Sequence, residues 1–144
     1  MRIVTDTNIL IRMLIAPSGF VANLFYRLKS KHELYISYSS FEEIARHKTR
    51  LLKLSKLNND HFDKLLSEII SGITIVSLDQ ISNLVFFRAF GFTTSVDYDD
   101  SPFVATALFI DGFLWTSDKV LFAGLKKKGF SAVLNNADIA KLID

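Results

Sequence analysis

The residues of this chain with the clearest chemical potential are carboxylates. Each of them stands where an apolar strand is expected to end or a helix to begin. They are Asp6, Glu42, Glu43, Asp97, Asp99, Asp100 and Asp118. In a parallel sheet such points tend to share one rim, so acids far apart in sequence can converge there. Several carboxylates on one rim repel each other unless a cation lies among them. Hard oxygen ligands suit Mg²⁺ or Mn²⁺, which activate water and stabilise charge on a phosphate.

Each acid also has a purely structural interpretation, because Asp and Glu favour helix N-caps and first turns. Ser39 and Glu42 have the spacing of a capping box, and Ser40 and Glu43 have the same spacing, so this rule does not separate the two glutamates. Asp6 fits the capping interpretation less well, since Thr7 and Asn8 next to it could also cap a helix. Metal binding and capping therefore both stay open for most of these acids.

The elements that must position the acids alternate between strands and helices. We predict five short strands, at 2–5, 33–37, 73–77, 113–116 and 132–134. We predict helices at 7–15, 19–31, 39–57, 59–71, 79–90, 101–110, 119–127 and 137–143, with a polar loop at 93–100. Short apolar strands that alternate with helices indicate an α/β fold whose parallel sheet is covered by helices on both faces.

Composition limits the class of protein. The chain has 144 residues, 49% of them hydrophobic and 13 of them Phe, which favours one domain over residues 1–144 with a single well-filled core. It has no cysteine, which excludes disulfides and thiolate metal sites. Neither a signal peptide nor a membrane span of about 20 apolar residues is recognisable, so we expect a cytoplasmic protein that does not enter a membrane. The net charge is only +2, but basic residues cluster between Arg46 and Lys64.

Four short motifs follow one another along the chain: Ile3-Val4-Thr5-Asp6-Thr7-Asn8-Ile9-Leu10, Phe41-Glu42-Glu43-Ile44, Asp100-Ser101-Pro102-Phe103-Val104-Ala105-Thr106-Ala107 and Trp115-Thr116-Ser117-Asp118. In this order, and on this α/β pattern, they resemble PIN domains and, among these, the VapC-type toxins of toxin–antitoxin modules. The resemblance covers nearly the whole chain. It implies a three-layer α/β/α fold with a central parallel sheet of four or five strands.

The resemblance also implies a function, a metal-dependent endoribonuclease that hydrolyses RNA phosphodiester bonds with Mg²⁺ or Mn²⁺. The catalytic acids would be Asp6, Glu43, Asp100 and Asp118, which would bind metal together with Asp97 as a possible further ligand. Asn8 and Thr116 would support the ligands, and Arg46, Lys48 and Arg50 would contact RNA phosphates. The expected partners are an RNA substrate, a small antitoxin protein and a second copy of the chain in a homodimer.

Other interpretations compete with this one. A PIN-like module that has lost catalysis and only binds RNA or protein would have the same fold. Phosphatases that begin with a strand and Asp-x-Asp are disfavoured, since position 8 is Asn. His32, His47 and His61 share no ligand-like spacing and are expected at the surface or at caps. Trp115 is expected in the core, and an apolar face formed by Phe20, Leu24, Phe25 and Leu28 fits either the core or a groove for a partner.

Overall fold

The centre of the molecule is a five-stranded parallel sheet. A computed structural model describes residues 1–94 and 96–144. The strands run in the order β3-β2-β1-β4-β5, and all four pairings are parallel. Their bounds are β1 Arg2–Thr5, β2 Glu33–Ser37, β3 Thr74–Val76, β4 Phe113–Trp115 and β5 Val133–Leu134. The expected number and direction of strands are confirmed.

Helices cover both faces of this sheet, as the α/β pattern predicted. Their bounds are α1 Thr7–Ile15, α2 Phe20–Lys29, α3 Tyr38–Arg46, α4 Lys48–Ser55, α5 Asn59–Ile70, α6 Asn83–Thr93, α7 Ser101–Phe109, α8 Lys119–Lys127 and α9 Asn136–Ile143. Successive residues of a strand point to opposite faces. In β1, Ile3 therefore joins the core beneath α1, α2 and α9, whereas Val4 joins the core beneath α6, α7 and α8. The three-layer α/β/α arrangement is confirmed.

The predicted helix at 39–57 is wrong in one respect, because the chain forms two helices that meet at His47. There the backbone leaves the helical conformation, with φ −105° and ψ 12°. Ile44 of α3 and Leu51 of α4, on either side of the break, both lie in one buried cluster. A continuous helix was expected because Arg46-His47-Lys48 contains no Gly or Pro to mark the break.

The predicted helix at 79–90 is also displaced. Ser77 and Gln80 form a capping box that closes a short 3₁₀ turn at Leu78–Gln80. Ser82 then caps α6, which continues through Gly91. The loop expected at 93–100 contains a second 3₁₀ turn at Tyr98–Asp100, and its Ser95 lies outside the described residues.

Among the described residues, no single helix is long and apolar enough to cross a membrane. The pair α1 and α2 passes that test by length and composition only when taken together, and the two helices meet at a bend of 119°.

Candidate active site

Three acids stand where the connections of the sheet change direction. From β1 the chain moves outward to β2 and β3, and then returns to the other side of β1 to add β4 and β5. Such a switch point leaves a crevice at the carboxyl ends of the central strands. Asp6 follows β1, Asp118 stands three residues after β4, and Glu43 lies in the helix that follows β2.

Asp6 is buried, with 3% of its surface exposed. Its Oδ1 accepts a hydrogen bond from the Ile9 amide at 3.1 Å, and its Oδ2 accepts one from the Thr116 hydroxyl. Asp6 is therefore the N-cap of α1, contrary to the expectation that Thr7 or Asn8 would compete for that role. Burial raises the pKa of Asp6 to about 6, although both hydrogen bonds lower it.

Asp118 caps a second helix. Its Oδ1 accepts hydrogen bonds from the amides of Val120 at 2.9 Å and Leu121 at 3.0 Å, which opens α8. Its own amide donates to the Thr116 hydroxyl oxygen at 3.0 Å. One hydroxyl thus links Asp6 and Asp118 across the ends of β1 and β4.

Glu43 has no capping role. The cap of α3 is Ser37, whose side chain accepts from the Ser39 amide, so both capping boxes considered from the sequence are wrong. Burial and, to a smaller extent, the Asp99 charge raise the pKa of Glu43, while the Thr7 hydroxyl beside it and the nearby Arg46 lower it. A half-buried carboxylate that caps no helix lowers the stability of the fold unless a ligand binds to it.

Asp100 is the point at which the acids meet. It occupies the cap position of α7 but accepts no capping hydrogen bond there. Its pKa is raised to about 7, first by burial and then by the negative charges of Asp97, Asp6, Asp118 and Glu43. Four carboxylates from four separate parts of the chain therefore act on this one group.

Asp97 and Asp99 lie at the exposed side of this cluster. The Asp97 Oδ1 accepts from the Asp99 amide at 2.9 Å and so holds the turn that carries Asp100. The preceding residue, Val96, contacts α8 at Gly124, where a Cβ atom would lie 2.5 Å from a Val96 methyl group. The turn is thus positioned partly by a close contact that only a residue without a side chain allows.

The three basic residues expected to bind RNA have different surroundings. Arg46 and Glu43 line the same groove, and the Arg46 charge acts on the Glu43 carboxylate. Lys48 instead forms an ion pair with Asp63 of α5 at 2.7 Å. Arg50 is exposed on α4. Of the three, Arg46 is the one that the fold brings to the acidic cluster.

The donor set of this cluster fits a hard divalent cation. Asp6, Glu43, Asp97, Asp100 and Asp118 offer only oxygen, and their mutual repulsion would be relieved by a cation between them. Among residues 1–94 and 96–144, no three acidic or imidazole side chains are already arranged to hold an ion. Binding would therefore require side-chain rotation, for which the uncapped Glu43 and Asp100 are better suited than Asp6.

Two cavities flank the cluster. The first, called here the acidic groove, has a volume of about 840 Å³ and runs between α3, α6 and the Tyr98–Asp100 turn. The second, called here the α1–α2 pocket, has a volume of about 650 Å³ and is bordered by Asn8, Arg12, Phe20, Asp118 and Asn136 among others. Asn8, expected to support the metal ligands, lies on this pocket.

Several residues near the site escaped the sequence analysis. The Thr7 hydroxyl donates to Ser40 at 3.0 Å in a buried contact beneath Glu43. His47, which was set aside as a surface residue, lines the acidic groove. Arg12 also went unremarked, although its position four residues after Asn8 on α1 places both on one helix face.

The apolar face once considered as a partner groove is mostly core. Leu24, Phe25 and Leu28 are buried, and Phe20 alone of the four is exposed. Trp115 is fully buried, as expected, and its indole donates to Asn136 at 2.9 Å.

Comparison with known proteins identifies the family of this chain and a similar fold. Residues 4–137 match the family described as the PIN domain. The fold is also similar to a chain in the crystal structure of VapBC2 from Rickettsia felis bound to a DNA fragment from their promoter, with a TM-score of 0.68 and 16% identity. That similarity covers 94% of this chain and 98% of the other. No curated protein matches the sequence.

These α/β layers and this rim of acids define a PIN-type fold. The chain belongs to the PIN domain family, and the family resemblance seen in its four motifs is confirmed.

Proposed function

We propose that this protein is a metal-dependent endoribonuclease and the toxin of a toxin–antitoxin module. The observation that carries the proposal is the position of Asp100 at the switch point of the sheet, where burial and then the charges of four other carboxylates raise its pKa. Carboxylates converge in this way at a cost to stability, and a bound cation removes the cost. Family membership supports nuclease chemistry at that place.

The site would hold one or two Mg²⁺ or Mn²⁺ ions through Asp6, Glu43, Asp100 and Asp118, with Asp97 as a further ligand. Such ions, when bound, lower the pKa of a water molecule and offset the charge that develops on the phosphate. The chain's own part is to hold the carboxylates in place. Thr116 fixes Asp6 through its hydroxyl, and Thr7 lies against Glu43.

The reaction would be hydrolysis of an RNA phosphodiester. Water adds its oxygen to phosphorus, the bond to the 3′ oxygen breaks, and that oxygen takes up a proton, leaving a 5′-phosphate and a 3′-hydroxyl. Arg46 on the wall of the acidic groove would contact a phosphate of the substrate. Lys48 would contribute less, because Asp63 already neutralises it.

An antitoxin is the proposed protein partner. The similar fold found in the crystal structure of VapBC2 bound to a DNA fragment from their promoter supports this. We also propose a homodimer. Leu84 and Phe87 on α6 are 73% and 78% exposed, and apolar side chains so exposed are typical of interfaces. A monomeric mass for the wild type in multi-angle light scattering would contradict the dimer.

The deciding experiment is a cleavage assay on single-stranded RNA with Mg²⁺, with Mn²⁺ and with EDTA. We expect cleavage with either ion, none in EDTA, and loss of cleavage in Asp6→Ala and Asp100→Asn. Asp60→Asn is the matched control, because Asp60 is an exposed acid on α5 away from the cluster. Full activity of Asp100→Asn would refute the assignment. RNA binding without cleavage under all conditions would instead favour the inactive binding module.

A further inference from the structure

The α1–α2 pocket opens directly beside the acidic cluster. Asp118 belongs to both, and Asn8 lies in the first turn of α1, the helix that Asp6 caps. Its volume of about 650 Å³ falls within the range of about 300–1,000 Å³ that small-ligand sites occupy. A substrate held at the carboxylates would therefore extend into this pocket.

Arg12 brings a positive charge to the pocket. It is exposed in the last turn of α1 and forms no ion pair with any residue that the structure describes. A guanidinium offers several N–H donors that match a phosphate. Because Arg12 and Asp118 line the same pocket, a phosphate paired with Arg12 would lie close to the carboxylates.

Phe20 brings an aromatic surface. It begins α2, and 65% of its surface is exposed although its neighbours Val21 and Ala22 are buried. Exposed aromatic rings stack on bases of single-stranded nucleic acids regardless of sequence. Behind the pocket, the Asn136 Oδ1 accepts from Trp115 and Ser117, which leaves the Nδ2 donor of that amide available to a base edge.

The two cavities differ in charge, and the difference favours the α1–α2 pocket for RNA. Five carboxylates line the acidic groove, Glu42, Glu43, Asp97, Asp99 and Asp100, against Arg46 and His47. The α1–α2 pocket carries one carboxylate, Asp118, and one guanidinium. A phosphate with its base thus meets less repulsion in the α1–α2 pocket.

We propose that the α1–α2 pocket binds the nucleotide next to the scissile phosphate in single-stranded RNA. The base stacks on Phe20, its phosphate pairs with Arg12, and Asn8 and Asn136 offer hydrogen bonds to the base edge. The proposal rests on the proposed ribonuclease function. It assigns Phe20 and Arg12 as substrate-binding residues rather than catalytic ones.

The test uses wild type, Phe20→Ala and Arg12→Ala on a mixed-sequence RNA oligonucleotide whose cleavage position is first mapped. Tyr26→Ala and Arg27→Ala are matched controls, since both residues lie on α2 but line a different depression. We expect each pocket variant to raise KM about tenfold with little change in kcat, because stacking and phosphate pairing act on binding. The controls should match wild type. Circular dichroism checks that all variants fold.

A second arm removes single bases from the oligonucleotide. One abasic position beside the cleavage site should weaken wild-type binding by a similar factor and weaken Phe20→Ala no further. Binding of the intact oligonucleotide in EDTA, read by fluorescence anisotropy, should also fall in both pocket variants. The anisotropy measurement on the intact oligonucleotide needs no cleavage, so failure of the nuclease function is separable from failure of the pocket assignment. Unchanged KM and unchanged binding in both variants overturn the proposal, and would leave the pocket to a protein ligand.

Discussion

Two pairs of acids in the same cluster are held in different ways. Asp6 and Asp118 each serve as the N-cap of a helix and are called here the capped pair. They accept backbone hydrogen bonds at the helix start and share the Thr116 hydroxyl. Glu43 and Asp100, the uncapped pair, accept no capping hydrogen bond. The capped pair therefore stabilises the fold as well as the proposed site.

The difference suggests a division of labour. Hydrogen bonds fix the capped carboxylates in one geometry before any ligand arrives, which is what a preorganised site needs. The uncapped carboxylates are opposed by burial and by their neighbours, so their ionised forms cost stability until a cation binds. The predictions below test this comparison.

The largest effect should come from replacing one acid of each pair by Ala and by Asn. All four variants, two at Asp118 and two at Asp100, should lose cleavage activity. The loss should exceed the roughly 10- to 100-fold reduction seen when a residue that only positions a metal ligand is replaced. Their stabilities should diverge. In EDTA, Asp118→Ala should lose about 1 kcal/mol of unfolding free energy with its cap, and Asp118→Asn should keep most of it.

At Asp100 both substitutions should raise the melting temperature in EDTA, because they remove a buried charge that its neighbours oppose. Single-turnover cleavage and thermal denaturation measure the two effects. Equal stability changes at Asp118 and Asp100 would show that capping does not distinguish the pairs.

The next effect concerns pH. The pKa of Asp6 is raised to about 6 and that of Asp100 to about 7. A carboxyl with a raised pKa contributes stability in its protonated form, so this contribution is full below the unfolded value and is lost as pH rises through the folded one. For buried Asp6 a shift of about 2 units corresponds to roughly 3 kcal/mol. In EDTA the unfolding free energy should therefore fall between about pH 4 and pH 7.

Chemical denaturation of wild type and Asp100→Asn in parallel isolates this effect. His32 has a lowered pKa and acts in the opposite direction, but it is present in both proteins and cancels in the difference. Asp100→Asn should flatten the upper part of the slope, and saturating Mg²⁺ should reduce the slope in wild type. A wild-type stability that depends on pH in the same way as that of Asp100→Asn would contradict the raised pKa of Asp100.

A smaller effect should distinguish two buried threonines at the ends of neighbouring strands, Thr5 in β1 and Thr116 directly after β4. The Thr116 hydroxyl bonds to Asp6 and to the Asp118 amide. The Thr5 hydroxyl on β1 is the one buried side-chain polar atom without a partner among the described residues. Thr116→Val should lower cleavage about 10- to 100-fold, and Thr116→Ser should restore it.

Thr5→Val is the matched control. It should leave cleavage unchanged and raise the unfolding free energy, by up to about 1–3 kcal/mol, because it removes an unsatisfied buried group. Kinetics and urea denaturation measure both variants. If Thr116→Val cleaves like wild type, the shared hydroxyl does not position the capped pair.

The sequence predicted the parts of this site that depend on local patterns. Asp6 and Asp118 follow short apolar strands, and this pattern was sufficient to expect them at one rim. The alternation of strands and helices was likewise sufficient to predict a five-stranded parallel sheet, which the structure confirms.

What the sequence could not predict depends on contacts between distant elements. No Gly or Pro marks the break at His47, and the Thr7–Ser40 hydrogen bond needs α1 and α3 to be neighbours. The sequence did not predict Asp6 as the cap of α1, because Asp6, Thr7 and Asn8 are adjacent and can all cap a helix. Nothing local indicated that Gly124 and Val96 would touch.

That contact supports the last and smallest prediction. Gly124→Ala would place a Cβ atom 2.5 Å from a stiff Val96 side chain, so the turn that carries Asp97 and Asp100 must move. Misplacement by about 1 Å can cost about 100-fold in rate, so a shift of a few tenths of an ångström should cost up to about tenfold. Gly91→Ala on α6 meets nothing within 4 Å and should gain about 0.5–1 kcal/mol of stability with unchanged cleavage. If Gly124→Ala also cleaves like wild type, Asp100 tolerates displacement of its turn, and the proposed ion rather than the fold would determine where Asp100 lies.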